Sequence, residues 1–315
     1  KHSAIENLSF IESTYGSVSM EMAKQLSLIA MMFPRLGEYD YAIESANKAV
    51  EICMTKGEEH SYAFFEAKLA RAQSYLMQGR TLEAKESILD LDISAFTGNE
   101  ALSDFVSVSG LVLCELSEYD KVEALCTELL SRSNIGKFNR AQALIMRAIV
   151  HEQKGMLTEA ENFILDALQY VEFLKDSPVK NEWLVQYYRI KARLFFRKGD
   201  YNSALKEINE LFDLIPSDQL ETFIMYQPTL ERGLYYDKSD NKEKSNADFL
   251  TCERILKRGN FPDESFVLLY NNIANSYISS GDFLNAKEYL SRIVKIRPEI
   301  TTPKSYVNAI VCNNI

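Results

Sequence analysis

Arg189, Arg193 and Arg197 recur at every fourth residue, so a helix through them carries three guanidinium groups on one face. The chain has 315 residues and a formal charge of −10, which makes a basic stripe its most specific chemical signal. A guanidinium is planar and grips a carboxylate through two parallel hydrogen bonds. The spacing therefore predicts a seat for a carboxylate, such as a peptide C-terminus or an acidic segment. The competing expectation is a solvated face balanced by Glu152 and Glu231, since exposed ion pairs contribute only about 0–1 kcal/mol.

Other residue types give little chemistry. The histidines are His2, His60 and His151. No glycine-rich phosphate loop, paired metal-ligand motif or nucleophile elbow accompanies them. The expectation is a non-catalytic protein with no cofactor and no metal. Cys53, Cys114, Cys126, Cys252 and Cys312 form no closely spaced pair, and their number is odd. That disfavours a disulfide framework or a zinc site. Cys126 and Cys252 fall at repeat positions that elsewhere hold Ile or Leu, and read as small core residues of a protein kept reduced, which places it in the cytoplasm.

Composition agrees: 46% hydrophobic, 25% charged and seven prolines describe a folded chain. An acidic surface repels phosphate backbones, so direct nucleic-acid contact is not expected. No apolar run approaches the roughly 18 residues of a membrane helix, so no membrane partner is expected. The chain begins with Lys1, and residues 305–312 start an apolar-periodic helix that stops. Both features predict a piece of a longer protein.

The elements that carry these residues are set by a repeat. Seven times a small residue precedes a turn residue by seven positions: Ala30/Gly37, Ala72/Gly79, Gly110/Ser117, Ala148/Gly155, Ala192/Gly199, Gly233/Asp240 and Ala274/Gly281. The turn residues lie 42, 38, 38, 44, 41 and 41 positions apart. Such a period signals a helical solenoid, in which each unit packs on its neighbours. Apolar or small residues recur five, nine and twelve after the turn residue, as in Ala204, Ile208 and Leu211. Those offsets share one helical stripe, the buried face of a second helix. Four before the turn residue stand Phe33, Tyr75, Leu113, His151, Phe195, Tyr236 and Tyr277, so His151 is expected as a packed imidazole. Small residues let two helices cross closely. Pro216 and Pro298 stop second helices, and Pro34 should end a first helix early. Trp183 is expected between units.

The stretches "GEYDYAIESANKAVEI" from Gly37, "KGDYNSALKEINELFDLIP" ending at Pro216 and "SGDFLNAKEYLSRIVKIRP" ending at Pro298 resemble the tetratricopeptide repeat family. The resemblance covers residues 17 to 300. The period of about 41 exceeds the family's usual 34, and resembles the long-repeat branch of kinesin light chains and MalT-type sensor arrays. It implies an all-α, right-handed superhelical solenoid of about seven helix-turn-helix units in a single array, 1–315. The units are 17–56, 57–98, 99–136, 137–178, 179–217, 218–260 and 261–300, with unpaired helices in 1–16 and 301–315.

The resemblance also implies that first helices line a concave groove, through residues three before, one after and five after the small residue. It places Arg189, Arg193 and Arg197 there, with Asn271 and Asn275 on the equivalent face of the last unit. Met31, Leu69, Leu76, Met77, Leu111, Ile145 and Ile149 fall on or near this face earlier in the chain, unless they serve contact between neighbouring first helices. The chaperone-binding pattern of lysines and asparagines is missing, since Ser27 and Met31 stand at its first two places. The expected function is a scaffold whose groove binds a protein or peptide segment, acidic or carboxylate-bearing. The alternative is the sensor or effector-binding segment of a larger signalling or transcription regulator.

Overall fold

The structure, a computed structural model, describes residues 2–91, 99–171, 180–258, 261 and 263–296. Among them there is no strand. The helices are α1 (His2–Tyr15), α2 (Met20–Met32), α3 (Tyr39–Lys56), α4 (Tyr62–Met77), α5 (Thr81–Ile88), α6 (Asn99–Glu115), α7 (Tyr119–Ser131), α8 (Lys137–Gln153), α9 (Leu157–Val171), α10 (Lys180–Arg197), α11 (Tyr201–Leu214), α12 (Tyr226–Lys238), α13 (Lys242–Arg258), α14 (Asp263–Ser279) and α15 (Phe283–Ile296). The chain divides into two compact units, Lys1–Lys180 and Asn181–Ile315. The division falls between the fourth and fifth repeats.

From α2 onward the helices form seven consecutive pairs, and the protein is an all-α repeat array. One device closes every pair. All seven turn residues are left-handed, with φ between +58° at Ser117 and +80° at Gly199. The amide after each donates to the carbonyl four before it, as in Glu118 to Leu113 at 2.8 Å and Asn241 to Tyr236 at 2.9 Å. This satisfies carbonyls that the ending helix leaves open. Pro34 ends α2 at Met32, and Phe33–Leu36 form a tighter 3₁₀ turn. Pro216 follows the end of α11, whereas Pro298, Cys312 and the helix expected at 305–312 lie outside the described residues.

Packing follows the sequence periodicity. Ala30, Ala72, Ala148, Ala192 and Ala274 are fully buried, as are Ala42, Ala84, Val122, Ala160, Ala204 and Ser245 five after the turn. A methyl added at Gly233 would come within 2.9 Å of the Phe249 ring on the partner helix, so only hydrogen fits at that crossing. α1 sets Leu8 and Ile11 against the core of α2, α3 and α4. Cys53, Cys114, Cys126 and Cys252 are buried free thiols, and burial pushes Cys114 and Cys126 up to about 12. They pack as core residues and do not ionise near neutral pH.

A second recurring contact binds successive pairs. Four first helices carry a basic residue just before the small one: Arg71, Arg147, Lys191 and Arg232. Each reaches the same place on its own second helix: Arg71 to Ser87 at 3.1 Å, Lys191 to Glu207 at 2.8 Å, Arg232 to Asp248 at 2.6 Å, and Arg147 over the Phe163 ring. The three arginines also reach one place on the preceding second helix, Asn47, Thr127 and Asn209 respectively.

Candidate functional site

Helical geometry decides which side chains of the first helices remain open. Sequence spacing puts the residue three before the small one on the open face; the structure turns it toward the neighbouring first helix. Ser27, Leu69, Ile145, Leu230 and Asn271 are buried there. Ser27 Oγ donates to Glu66 at 3.2 Å, and Gln142 donates to Ser107 at 2.7 Å, both between successive first helices. The open positions are six before, one after and five after.

This corrects part of the expected groove. Leu69 is 2% exposed, in one core cluster with Phe65 and Phe105, and Ile149 is buried as well. Met31 and Met77 are half-buried, and of these residues only Leu111, at 40%, is exposed. In Lys1–Lys180 these apolar groups therefore serve chiefly the contact between neighbouring first helices. The other described side chains at these positions are Lys24, Glu66, Gln73, Asp104, Glu115, Gln142 and Gln153, a mixed set of one cation, three carboxylates and three amides.

The arginine stripe divides in the same way. Arg189 grips Glu231 of α12 with two bonds, 3.1 and 2.7 Å, and Arg193 lies 3.7 Å from the same carboxylate. Both Arg189 and Glu231 are largely buried. The bidentate seat expected for a ligand thus holds the chain's own carboxylate and ties α10 to α12. Arg197 is exposed, Asn275 is exposed, and Asn271, at 4%, is out of a ligand's reach.

What remains open in Asn181–Ile315 is chemically consistent. The nine open positions on α10, α12 and α14 hold Gln186, Arg193, Arg197, Gln227, Leu234, Lys238, Leu268, Asn275 and Ser279. They carry three cations, three amides and no carboxylate. The sequence reading missed Gln186 and Gln227 because it took the position three before the small residue in place of six before; Lys238, five after Gly233, lay within its set but was not singled out.

His151 is half-buried rather than sealed: its ring stacks edge-on against Phe163, and Nδ1 lies 3.2 Å from Glu123. Trp183 is buried and stacks on Tyr187. Among the described residues no three acidic, histidine or cysteine side chains are grouped to hold a metal, and no helix is long and apolar enough to cross a membrane.

Comparison with known proteins fits this geometry. Residues 267–300 match the family model Tetratricopeptide repeat. The chain resembles BtubC (BKLC) from P. vanneervenii at 16% identity, over 75% of this chain and 92% of that one, with a TM-score of 0.53. It also resembles a tetratricopeptide repeat protein from Parabacteroides merdae at 18% identity, over 93% and 99% of the two chains, with a TM-score of 0.52. A putative kinesin light chain with nearly identical TPR-like repeats from Podosopora anserina aligns over 75% of this chain and 96% of its own, at 13% identity and a TM-score of 0.31. No curated protein matches in sequence. The fold is that of tetratricopeptide repeat proteins.

Proposed function

We propose that this protein is a non-catalytic scaffold and that α10, α12 and α14 bind an acidic peptide segment of a partner protein. One observation carries the reading: in a chain of net charge −10, the open positions of these three helices hold Arg193, Arg197 and Lys238 and no carboxylate. Gln186, Gln227 and Asn275 supply donors and acceptors for the main chain of an extended ligand. Arg189 contributes indirectly, because its bond to Glu231 fixes the spacing of α10 and α12.

The reading is tested by fluorescence anisotropy with a labelled Leu/Glu peptide and its Leu/Gln counterpart. The Glu peptide should bind more tightly, and its affinity should fall with salt. Arg197→Glu with Lys238→Glu, both at exposed positions, should weaken it by about tenfold or more while the helical signal stays intact. Equal binding of the two peptides, or an unchanged affinity in the double variant, would exclude this face.

A further inference from the structure

Four residues before the small one, six first helices carry Leu26, Val106, Leu144, Tyr188, Thr229 and Tyr270, none of them charged. In α4 this place belongs to Lys68, whose side chain is only 5% exposed. A buried ammonium is costly unless it is paired, so its presence at a core position calls for a structural cause.

The cause is the length of α5. It ends after eight residues, whereas the other second helices run for 13 to 18. A cleft of about 380 Å³ lies between α3, α4 and the turn after α5. Its walls are Val50, Phe64 and Leu91, with Lys68 and Arg71 on the floor. Lys68 donates to Asp90 and lies 5.0 Å over the Phe64 ring. Arg71 is held by two neutral oxygens, Ser87 Oγ at 3.1 Å and Asn47 Oδ1 at 2.9 Å. Two cations thus share one contacting carboxylate, and that carboxylate is 67% exposed on a turn. Glu59 and His60 stand exposed at the rim.

We propose that this cleft binds a small organic carboxylate with an apolar or aromatic body. The ligand's carboxylate takes the place of Asp90 on Lys68 and adds Arg71, while Asp90 turns to water. The buried ammonium stays paired throughout, so the exchange avoids the penalty of stripping it. Phe64, Val50 and Leu91 cover the apolar body, in the usual pattern of a small-molecule site with few polar anchors. The cleft lies on the second-helix side of α4, in Lys1–Lys180, and is independent of the peptide face on α10, α12 and α14.

The test is calorimetric titration of the full chain with phenylacetate, hydrocinnamate and N-acetyl-leucine, each against its primary amide. At least one acid should bind about tenfold more tightly than its amide. Asp90→Asn removes the internal competitor at an exposed site and should tighten that acid severalfold. Lys68→Met places an uncharged side chain where the other units have one; it should fold, abolish acid binding and leave the acidic peptide's affinity unchanged. Equal affinity for acid and amide, no binding by any of the three acids, weaker binding in Asp90→Asn, or binding that survives Lys68→Met would each overturn the proposal.

Discussion

Arg232 holds both oxygens of Asp248 in a fork, Nε to Oδ2 at 2.8 Å and Nη2 to Oδ1 at 2.6 Å, and so clasps α12 to α13. Its guanidinium lies 3.4 Å over the Phe212 ring and reaches Asn209 at 3.5 Å, both on α11. Three helices from two repeats thus meet on one side chain.

That arrangement predicts an asymmetric mutational response. Arg232→Met leaves the buried Asp248 without its counter-ion, which should cost about 3–5 kcal/mol in urea unfolding at pH 7. Burial already pushes the Asp248 carboxyl up, against the pull of Arg232. Without the arginine it rises further and is neutralised more readily, so the loss should shrink as pH falls. Arg71 holds the same place in the second repeat, but its bonds go to Ser87 and Asn47. Arg71→Met breaks only neutral pairs and should cost roughly 1–2 kcal/mol, with little dependence on pH.

The two glycines at helix crossings should also behave differently. A methyl at Gly233 meets Phe249 Cε1 at 2.9 Å and Asp248 Cβ at 3.3 Å, both well packed. Gly233→Ala should destabilise by about 1–3 kcal/mol through overpacking. At Gly110 the obstacle is the thioether of Met146, at 2.8 Å. Methionine adapts readily, and alanine favours a helix over glycine by about 1 kcal/mol. Gly110→Ala should therefore be neutral or stabilising in the same assay.

Spacing revealed the helix pairs, the turns and the buried stripe because all three rest on short-range geometry that repeats seven times. Ala192 and Ala204 are buried for the reason their offsets imply. The site was less legible because it depends on which flank of a first helix meets its neighbour. Asn271 and Asn275 are four apart and share a helical face, yet one is buried and the other open. The pairing of Arg189 with Glu231 joins residues 42 positions apart; the sequence offered Glu231 as a balancing charge, but not its burial against α10. The basic residue before the small one was visible at Arg71, Arg147, Lys191 and Arg232; its role emerges only when the second helices are in place. Lys68 gave a signal too, as a charge in a column of uncharged residues, but its meaning needed the early end of α5.

Glu66 on α4 should make stability depend on pH. Burial pushes its carboxyl above the usual range; the Ser27 hydroxyl opposes this at 3.2 Å, and the charge of Asp104 adds to it. The folded chain therefore holds a proton that the unfolded chain has released, and this contribution to stability is lost as pH rises from the ordinary carboxylate value through the raised one. Glu66→Gln removes the penalty. Its melting temperature should match wild type near pH 4 and exceed it at pH 7, as read by circular dichroism. A difference that stayed constant with pH would show that Glu66 is not strained by its surroundings.

Two turn residues work against their own side chains. Ser117 and Asp240 sit at φ +58° and +60°, where five of the seven repeats have glycine. A residue with a Cβ in that region costs roughly 1–2 kcal/mol relative to its preferred backbone, while glycine loses more chain entropy on folding. The first effect is the larger, so Ser117→Gly and Asp240→Gly should each stabilise by about 0.5–1 kcal/mol. Gly155 supplies the converse: at φ +79° a methyl there would touch nothing within 4 Å. Gly155→Ala should then destabilise by about 1 kcal/mol through backbone strain alone. If Gly155→Ala proved harmless, left-handed turns would not be what closes each pair, and the shared bond from the next amide to the carbonyl four before would have to carry that role by itself.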